Sequence, residues 1–187
     1  MSTEAPEQKA RRLIDASLAA AGWQVQNQDE LNLYAARGVA VREFQLTNGY
    51  ADYLLFVDQQ PVGVLEAKAA GHTLSGVEVQ ATKYAEGLPP NLEAPVLPLP
   101  FLYLSTGTVT KFINLLDPKP RSRKVFAVHQ PDSIARWLKA DTLDAWVKST
   151  ETAYTAAASA SASSSMALLS FSRFSSLGAS SWAARDL

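Results

Sequence analysis

Three ionisable residues stand out in an otherwise apolar stretch of the sequence: Asp52, Glu66 and Lys68. The segments around them, 51–57 and 62–68, are typical of the two β-strands of a hairpin. Charged side chains are costly to bury among apolar residues unless they pair with each other or bind a metal ion. Two carboxylates on neighbouring strands offer the hard oxygen ligands that Mg²⁺ prefers. The pattern therefore predicts a magnesium site, with a plain ion pair between Glu66 and Lys68 as the alternative.

Such a site suits the hydrolysis of a phosphodiester. A bound magnesium ion lowers the pKa of a water molecule and neutralises the charge that builds up on the scissile phosphate. Lys68 lies two residues after Glu66, so both side chains point to the same face of their strand. Lys68 would therefore position the attacking water or stabilise the charge on the phosphate.

The register of the hairpin decides whether the two carboxylates meet. Asp52 lies opposite Glu66 only if the hairpin is centred on Gln59, which requires an odd-numbered loop or a bulge. An even loop would pair Asp52 with Ala67 and send the two carboxylates to opposite faces of the sheet. With the connection placed at 58–61, we predict the odd register.

Other elements follow from apolar periodicity and from turn residues. A first helix is predicted over 7–21, with Pro6 at its first turn and Gly22 at its end. A second helix is predicted over 75–86. The remaining segments are four strands at 39–46, 101–105, 109–115 and 125–128, and two short helices at 132–138 and 142–147.

The second helix carries Gln80 and Tyr84 four residues apart, hence on one helical face. One interpretation makes Tyr84 a core residue and Gln80 a capping or solvent-facing residue. The other directs both side chains toward the acidic hairpin, where they would help to position DNA.

Composition limits the classes of protein that the chain can represent. Its 187 residues suffice for one domain with a short appendage, predicted at 1–148 and 149–187, and the second segment is rich in alanine and serine and expected to be disordered or weakly helical. The absence of cysteine excludes disulfide and thiolate sites. A net charge of -1 argues against binding nucleic acid by overall charge, so any DNA contact needs a local patch. The basic run Lys119, Arg121, Arg123 and Lys124 is either such a patch, a partner surface or a solvated loop.

With neither a signal peptide nor an apolar run of about 18 residues, we expect a cytoplasmic protein without membrane contact.

The array of Asp52, Glu66-x-Lys68 and Gln80-x-x-x-Tyr84 resembles the nuclease domain at the start of the restriction (R) subunit of Type I restriction-modification enzymes. The resemblance covers roughly residues 3–148. It also includes the opening helix and four further segments: 86–90, 99–101, 105–107 and 116–123.

This resemblance implies the PD-(D/E)xK restriction-endonuclease-like fold, an α/β core with a mixed, mostly antiparallel sheet flanked by helices and the acidic site at one sheet edge. It implies that Asp52 and Glu66 are Mg²⁺ ligands and that Lys68 is the catalytic lysine. Glu7 would sit where a family acidic residue reaches the metal, directly or through water. Gln80 and Tyr84 would belong to an element associated with DNA cleavage.

The resemblance also implies double-stranded DNA as substrate, with the methyltransferase and specificity subunits as partners. ATP and S-adenosylmethionine would act only in the complete multi-subunit enzyme. The sequence has no Gly-x-x-x-x-Gly-Lys-Ser/Thr phosphate loop, so we expect no ATP-driven motor in this chain. Two alternatives remain: a weakly active or inactive module that docks on the other subunits or on DNA, and a repair or junction enzyme of the same superfamily.

Overall fold

A seven-stranded sheet forms the centre of the protein, with strands in the order of the chain. The computed structural model describes residues 5–71 and 77–140, with side chains throughout except at 77–81. The strands are β1 (Gln24–Asn27), β2 (Gly38–Leu46), β3 (Gly49–Val57), β4 (Gln60–Ala67), β5 (Phe101–Ser105), β6 (Thr110–Asn114) and β7 (Arg123–Val125). The pairs β1–β2 and β4–β5 are parallel and the other four are antiparallel. The predicted mixed, mostly antiparallel sheet is therefore confirmed.

Helices cover both faces of this sheet. They are α1 (Pro6–Ala20), a short 3-10 helix (Gln28–Glu30), α2 (Val77–Glu86) and α3 (131–140). Pro6 occupies the first turn of α1, where a missing N–H costs no helical hydrogen bond. Gly22, with φ of 88°, follows the helix and reverses the chain. Both ends of the first predicted helix are thus confirmed.

The apolar side chains of the strands divide between two core layers. We call the layer that includes Ala85 of α2 the α2 layer, and the layer that includes Ile14 of α1 and Ile134 of α3 the α1 layer. Leu54 packs in the α2 layer and Leu55 in the α1 layer. Both faces of the central strands are therefore buried, which explains why the strand sequences are almost continuously apolar.

The β3–β4 hairpin combines an even loop with a bulge. Asp58 and Gln59 form a two-residue loop, and both have positive φ, as a type I′ turn requires. The register shifts by one residue next to Phe56, so that Tyr53 pairs with Leu65. Continuing this ladder places Asp52 opposite Glu66. The predicted odd register is confirmed, although the connection is two residues long rather than the predicted four.

Strand β4 also makes a close approach to β5 that fixes its position. A side chain at Gly63 would place its Cβ 2.1 Å from the carbonyl oxygen of Phe101. Glycine therefore lets the two parallel backbones come together three residues before Glu66. Beyond Gly63 the pairing of β4 with β5 continues in the same register, so that Glu66 pairs with Leu104 and Ala67 pairs with Ser105.

The sheet differs from expectation in two strands. Strand β1 was not predicted, because its sequence Gln-Val-Gln-Asn lacks an apolar pattern. Strand β7 spans Arg123–Val125 and not the predicted 125–128, so it begins within the basic run. The candidate site lies on the central strands β3 and β4, where these two strands separate. The helix predicted at 142–147 and the tail at 149–187 lie outside the described residues, so the domain boundary stays a prediction.

A buried polar cluster ties the segment before α3 to the sheet. The Tyr103 hydroxyl lies 2.7 Å from His129 Nδ1, and the indole N–H of Trp23 donates to the His129 carbonyl at 2.9 Å. Burial lowers the pKa of His129, which favours a neutral ring, and its Nδ1 shares a hydrogen bond with the Tyr103 hydroxyl. The ring also packs against Phe112 and Trp137. His129 therefore has a structural role.

Replacing Tyr103 with phenylalanine should lower the free energy of unfolding by roughly 1–2 kcal/mol, because it leaves Nδ1 of the half-buried imidazole without its hydrogen-bond partner. Urea denaturation at pH 7.5 measures the change. Tyr34→Phe is the matched control, since Tyr34 is 83% exposed and its hydroxyl loss should change stability by less than about 0.5 kcal/mol. Equal effects of the two substitutions would contradict the structural role of the cluster.

Candidate active site

Asp52 lies where strands β3 and β4 begin to separate. Its Oδ2 accepts the backbone N–H of Ala67 at 2.8 Å, and the side chain is 17% exposed. Ala51 and Leu54 both pack in the α2 layer although they are three residues apart. The alternation of side chains is therefore interrupted at Asp52, which leaves its carboxylate in the gap between the strands rather than in either core layer.

Strand β2 carries a matching irregularity opposite Asp52. Its ladder with β3 omits Glu43, which has φ of 49°, an uncommon value for a residue other than glycine. Val41 and Phe44 both face the α2 layer, so the alternation in β2 is interrupted at the same level as in β3. The alternation of side chains is thus interrupted at the same level in both strands. Glu43 lies at the interruption in β2, and Asp52 lies at the interruption in β3.

Glu66 is the most unfavourably placed charge in the described part of the chain. Only 2% of its side chain is exposed, and its Oε1 has no hydrogen-bond partner there. Lys68 Nζ lies 3.9 Å from the other carboxylate oxygen. Burial, with the negative charge of Asp52 as the second cause, raises the pKa of Glu66 to about 8, and Lys68 opposes the rise. The site therefore lacks positive charge next to the buried oxygen.

The donor set fits a hard divalent cation. Magnesium is commonly bound by one or two carboxylates while it retains several waters, and Asp52 and Glu66 supply that number. The unpartnered Oε1 of Glu66 is a buried acceptor of the kind that a cation would satisfy. Among the described residues no group of three or more His, Cys, Asp or Glu side chains comes together. The pair Asp52 and Glu66 therefore forms the candidate site without a third protein carboxylate.

A guanidinium group already contacts one of these carboxylates. Arg11 of α1 donates to Asp52 Oδ1 at 2.9 Å and also pairs with Glu43. With Tyr50 these residues line an open cavity of about 280 Å³ beside Asp52. Sequence reasoning missed Arg11 and Glu43, because neither lies near the hairpin motif in the sequence and only the fold brings them to Asp52.

The remaining predicted site residues are placed as follows. Glu7 is exposed in the first turn of α1, and the described residue of α1 that reaches Asp52 is Arg11, one turn later. Tyr84 is half-buried and packs beside Gly49 at the start of β3. Gln80 lies on α2, but its side chain lies outside the described part of the structure. The roles of Glu7, Gln80 and Tyr84 stay predictions.

The raised pKa of Glu66 predicts a pH-dependent stability. The pKa of Glu66 is about 8 in the folded protein and 4.5 in its ordinary state, so the folded protein binds this proton more tightly than the unfolded protein does. The proton therefore stabilises the fold at low pH, and this stabilisation is lost as pH rises through about 8. In a metal chelator, Glu66→Gln should therefore raise the free energy of unfolding at pH 9 by roughly 1–3 kcal/mol, with little gain at pH 5. Chemical denaturation at both pH values measures this difference. The exposed control Glu30→Gln should show no such dependence on pH.

Magnesium provides the complementary test. Because a cation that binds only the folded protein stabilises it, added Mg²⁺ should raise the melting temperature of the wild type at pH 8 and of Glu30→Gln equally. The Glu66→Gln protein should gain much less. Equal stabilisation of all three proteins would contradict a cation site at Glu66.

Comparison with known proteins bears on the family and the fold. Residues 15–96 match the family model of the "Type I restriction enzyme EcoKI endonuclease subunit second domain". The matched range includes Asp52, Glu66, Lys68, Gln80 and Tyr84 and excludes Glu7. A comparison with curated proteins gave no significant match.

Among solved structures, the fold is similar to a fragment described as an HsdR subunit of a type I restriction enzyme from Vibrio vulnificus YJ016. The identity is 20% and the TM-score 0.55, over 75% of this chain and 26% of that one. The type IIG restriction endonuclease BpuSI also matches, with 14% identity and a TM-score of 0.38, over 72% of this chain and 15% of that one. The chain thus spans about a quarter of the length of the HsdR fragment. The family match agrees with the resemblance seen in the sequence: residues 15–96 are similar to the second domain of a Type I restriction enzyme endonuclease subunit, and the fold is similar to that of the HsdR fragment.

Proposed function

We propose that this chain hydrolyses DNA phosphodiester bonds with Mg²⁺, as the nuclease module of a Type I restriction endonuclease subunit. The observation that carries the proposal is the buried Glu66 carboxylate, which has an unpartnered oxygen and lies beside Asp52 and Lys68. The family of residues 15–96 is consistent with this chemistry. Double-stranded DNA, the methyltransferase and specificity subunits and a cytoplasmic location belong to the proposal. In the described part of the chain no helix could cross a membrane.

Asp52 and Glu66 would hold the cation. When bound, Mg²⁺ supplies the positive charge that acidifies a water and neutralises charge developing on the phosphate. The backbone N–H of Ala67, at the end of β4, donates to Oδ2 of Asp52 and so orients this carboxylate toward the cation position. The Oδ1 of Asp52 must be shared with Arg11 or released by it. The apolar surroundings of Glu66 keep bulk water away and strengthen every charge interaction there.

Lys68 would act on the phosphate or on the attacking water. Its ammonium lies close to Glu66 but keeps 31% of its side chain exposed, so it has access to a substrate at the surface. A protonated lysine donates hydrogen bonds and accepts none. It would therefore stabilise charge on a phosphate oxygen, or hold the attacking water by donating to its oxygen, while the carboxylates accept the water protons.

Substituting glutamine for Glu66 should reduce Mg²⁺-dependent nicking of supercoiled plasmid by at least about a hundredfold, because a buried charged ligand is replaced by a neutral amide. The gel assay should be run with the full chain in Mg²⁺ and in chelator. The control Glu30→Gln changes an exposed carboxylate and should nick like the wild type. Nicking by purified Glu66→Gln at the wild-type rate would refute the assignment.

A docking module without catalysis is the competing function, and one observation favours it. Arg11 pairs with both Asp52 and Glu43, so a guanidinium occupies one side of the Asp52 carboxylate and competes with a cation for it. Calorimetric titration with Mg²⁺ or Mn²⁺ separates the two functions. Binding that disappears in Asp52→Asn supports the nuclease, whereas the absence of any such binding in the wild type supports docking.

A further inference from the structure

A guanidinium group connects two carboxylates beside the candidate site. One terminal nitrogen of Arg11 donates to Oδ1 of Asp52 at 2.9 Å, and the other pairs with Glu43. The side chain of Asp52 is largely buried, whereas that of Glu43 is exposed. Arg11 therefore joins a candidate cation ligand to a second carboxylate that lies in solvent. We call this arrangement the Arg11 bridge.

The backbone of Glu43 is strained at the position that gives it this contact. Its φ of 49° lies in the left-handed region, which is unfavourable for a residue with a Cβ. Its neighbours Arg42 and Phe44 both pair with residues of β3, whereas the ladder omits Glu43. Backbone strain of this kind persists where surrounding contacts maintain it, and it is frequent at functional sites. Glu43 thus combines an uncommon backbone conformation with an ion pair to the arginine that contacts Asp52.

A divalent cation at Asp52 would compete with this guanidinium. Oδ2 of Asp52 accepts the backbone N–H of Ala67, so Oδ1 is the oxygen that the backbone leaves to a cation or to Arg11. Two positive groups beside one carboxylate repel each other, and the repulsion is stronger where little water separates them. Arg11 would therefore leave Oδ1 when a cation binds, and its charge would need another partner. Glu43 already contacts the guanidinium and can keep that charge paired.

A second arginine bridge in the fold provides an internal comparison. Arg37 pairs with Asp58, which has φ of 48° in the β3–β4 loop, and with Asp132 of α3. Both of these carboxylates are exposed. The same arrangement of one arginine and two carboxylates thus occurs once between exposed groups and once at a candidate cation ligand. The Arg37 bridge therefore offers matched control variants for the Arg11 bridge.

We propose that Glu43 is a positioning residue for cation binding, which holds Arg11 so that its guanidinium pairs with Asp52 in the cation-free protein and with Glu43 alone once Mg²⁺ is bound. This inference rests on the proposed function, because that function supplies the cation at Asp52 and Glu66. Arg11 offsets the charge of Asp52 before the cation arrives, and Glu43 lowers the cost of releasing Oδ1. The strained backbone brings the Glu43 carboxylate to the place where it can do so.

The test is calorimetric titration of the full chain with Mg²⁺ at pH 7.5. Glu43→Gln should weaken Mg²⁺ binding roughly fivefold, because Arg11 then has Asp52 as its remaining carboxylate partner. Arg11→Met should strengthen binding by a similar factor, because Oδ1 of Asp52 is free. The double variant Glu43→Gln/Arg11→Met should bind Mg²⁺ as Arg11→Met does, since Glu43 acts through Arg11.

Three further variants control for charge and for folding. Asp58→Asn and Arg37→Met remove the corresponding groups from the Arg37 bridge and should each leave Mg²⁺ affinity within about twofold of the wild type. Glu43→Gly keeps the test decisive if Glu43→Gln folds poorly, because glycine adopts positive φ without strain. In chelator it should melt close to the wild-type temperature, while its Mg²⁺ affinity falls as in Glu43→Gln. A merely structural role of Glu43 would not give this combination.

Unchanged Mg²⁺ affinity in Glu43→Gln would overturn the inference. An equal loss from Glu43→Gln with and without Arg11 would overturn it too, because the carboxylate would then attract the cation directly. Absence of Mg²⁺ binding by the wild type would also overturn it, since Glu43 would then fail to release Asp52. These outcomes are separable from failure of the proposed function. The expected affinities without Glu66-dependent nicking would refute the nuclease and support the exchange, whereas Glu66-dependent nicking with unchanged affinity in Glu43→Gln would refute only the exchange.

Discussion

The carboxylate of Glu66, buried without a partner for one of its oxygens, is the constraint on which the rest of the structure depends. An ionised carboxylate in such surroundings destabilises the fold, and the raised pKa expresses that cost. The two core layers, one on each face of the sheet, compensate by burying the central strands completely. Gly63 lets β4 lie against β5 without a side chain between them, so Glu66 is held by its pairing with β5, one residue beyond the last residue of β4 that pairs with β3. The charge is thus placed by the central strands of the sheet.

Asp52 reaches Glu66 through irregularities in the sheet rather than through regular pairing. The bulge beside Phe56 changes the hairpin register by one residue, and the interruptions at Glu43 and Asp52 free a carboxylate on each of two strands. Irregular positions in strands are where side chains can be redirected away from the core. The same redirection brings Asp52 within reach of Arg11, whose guanidinium offsets part of the acidic charge. At Asp52, the irregularity of the sheet therefore determines both the ion pair with Arg11 and the position of the carboxylate that would bind a cation.

The sequence predicted those features that local pattern determines. Apolar alternation located β2 to β6, Pro6 and Gly22 marked the ends of α1, and the two-residue spacing of Glu66 and Lys68 placed both on one face. The odd register was predictable because only this register places the carboxylates of Asp52 and Glu66 on the same face of the sheet. Features that depend on tertiary packing were not predicted. Strand β1 is polar and is recruited by parallel pairing with β2, and Arg11 and Glu43 are 41 and 9 positions from Asp52 in the sequence, so only tertiary packing reveals them.

The net charge of -1 conceals a separation of charge across the sheet. The acidic residues Glu43, Asp52 and Glu66 lie on the neighbouring strands β2, β3 and β4, while the basic residues Lys111 and Lys124 lie on β6 and β7. A polyanion is repelled by the first group unless a cation intervenes, and it is attracted by the second. Under the proposed function, metal and phosphate would bind interdependently at Glu66: the cation would neutralise the carboxylates that repel the phosphate, and the phosphate would supply further oxygen ligands to the cation.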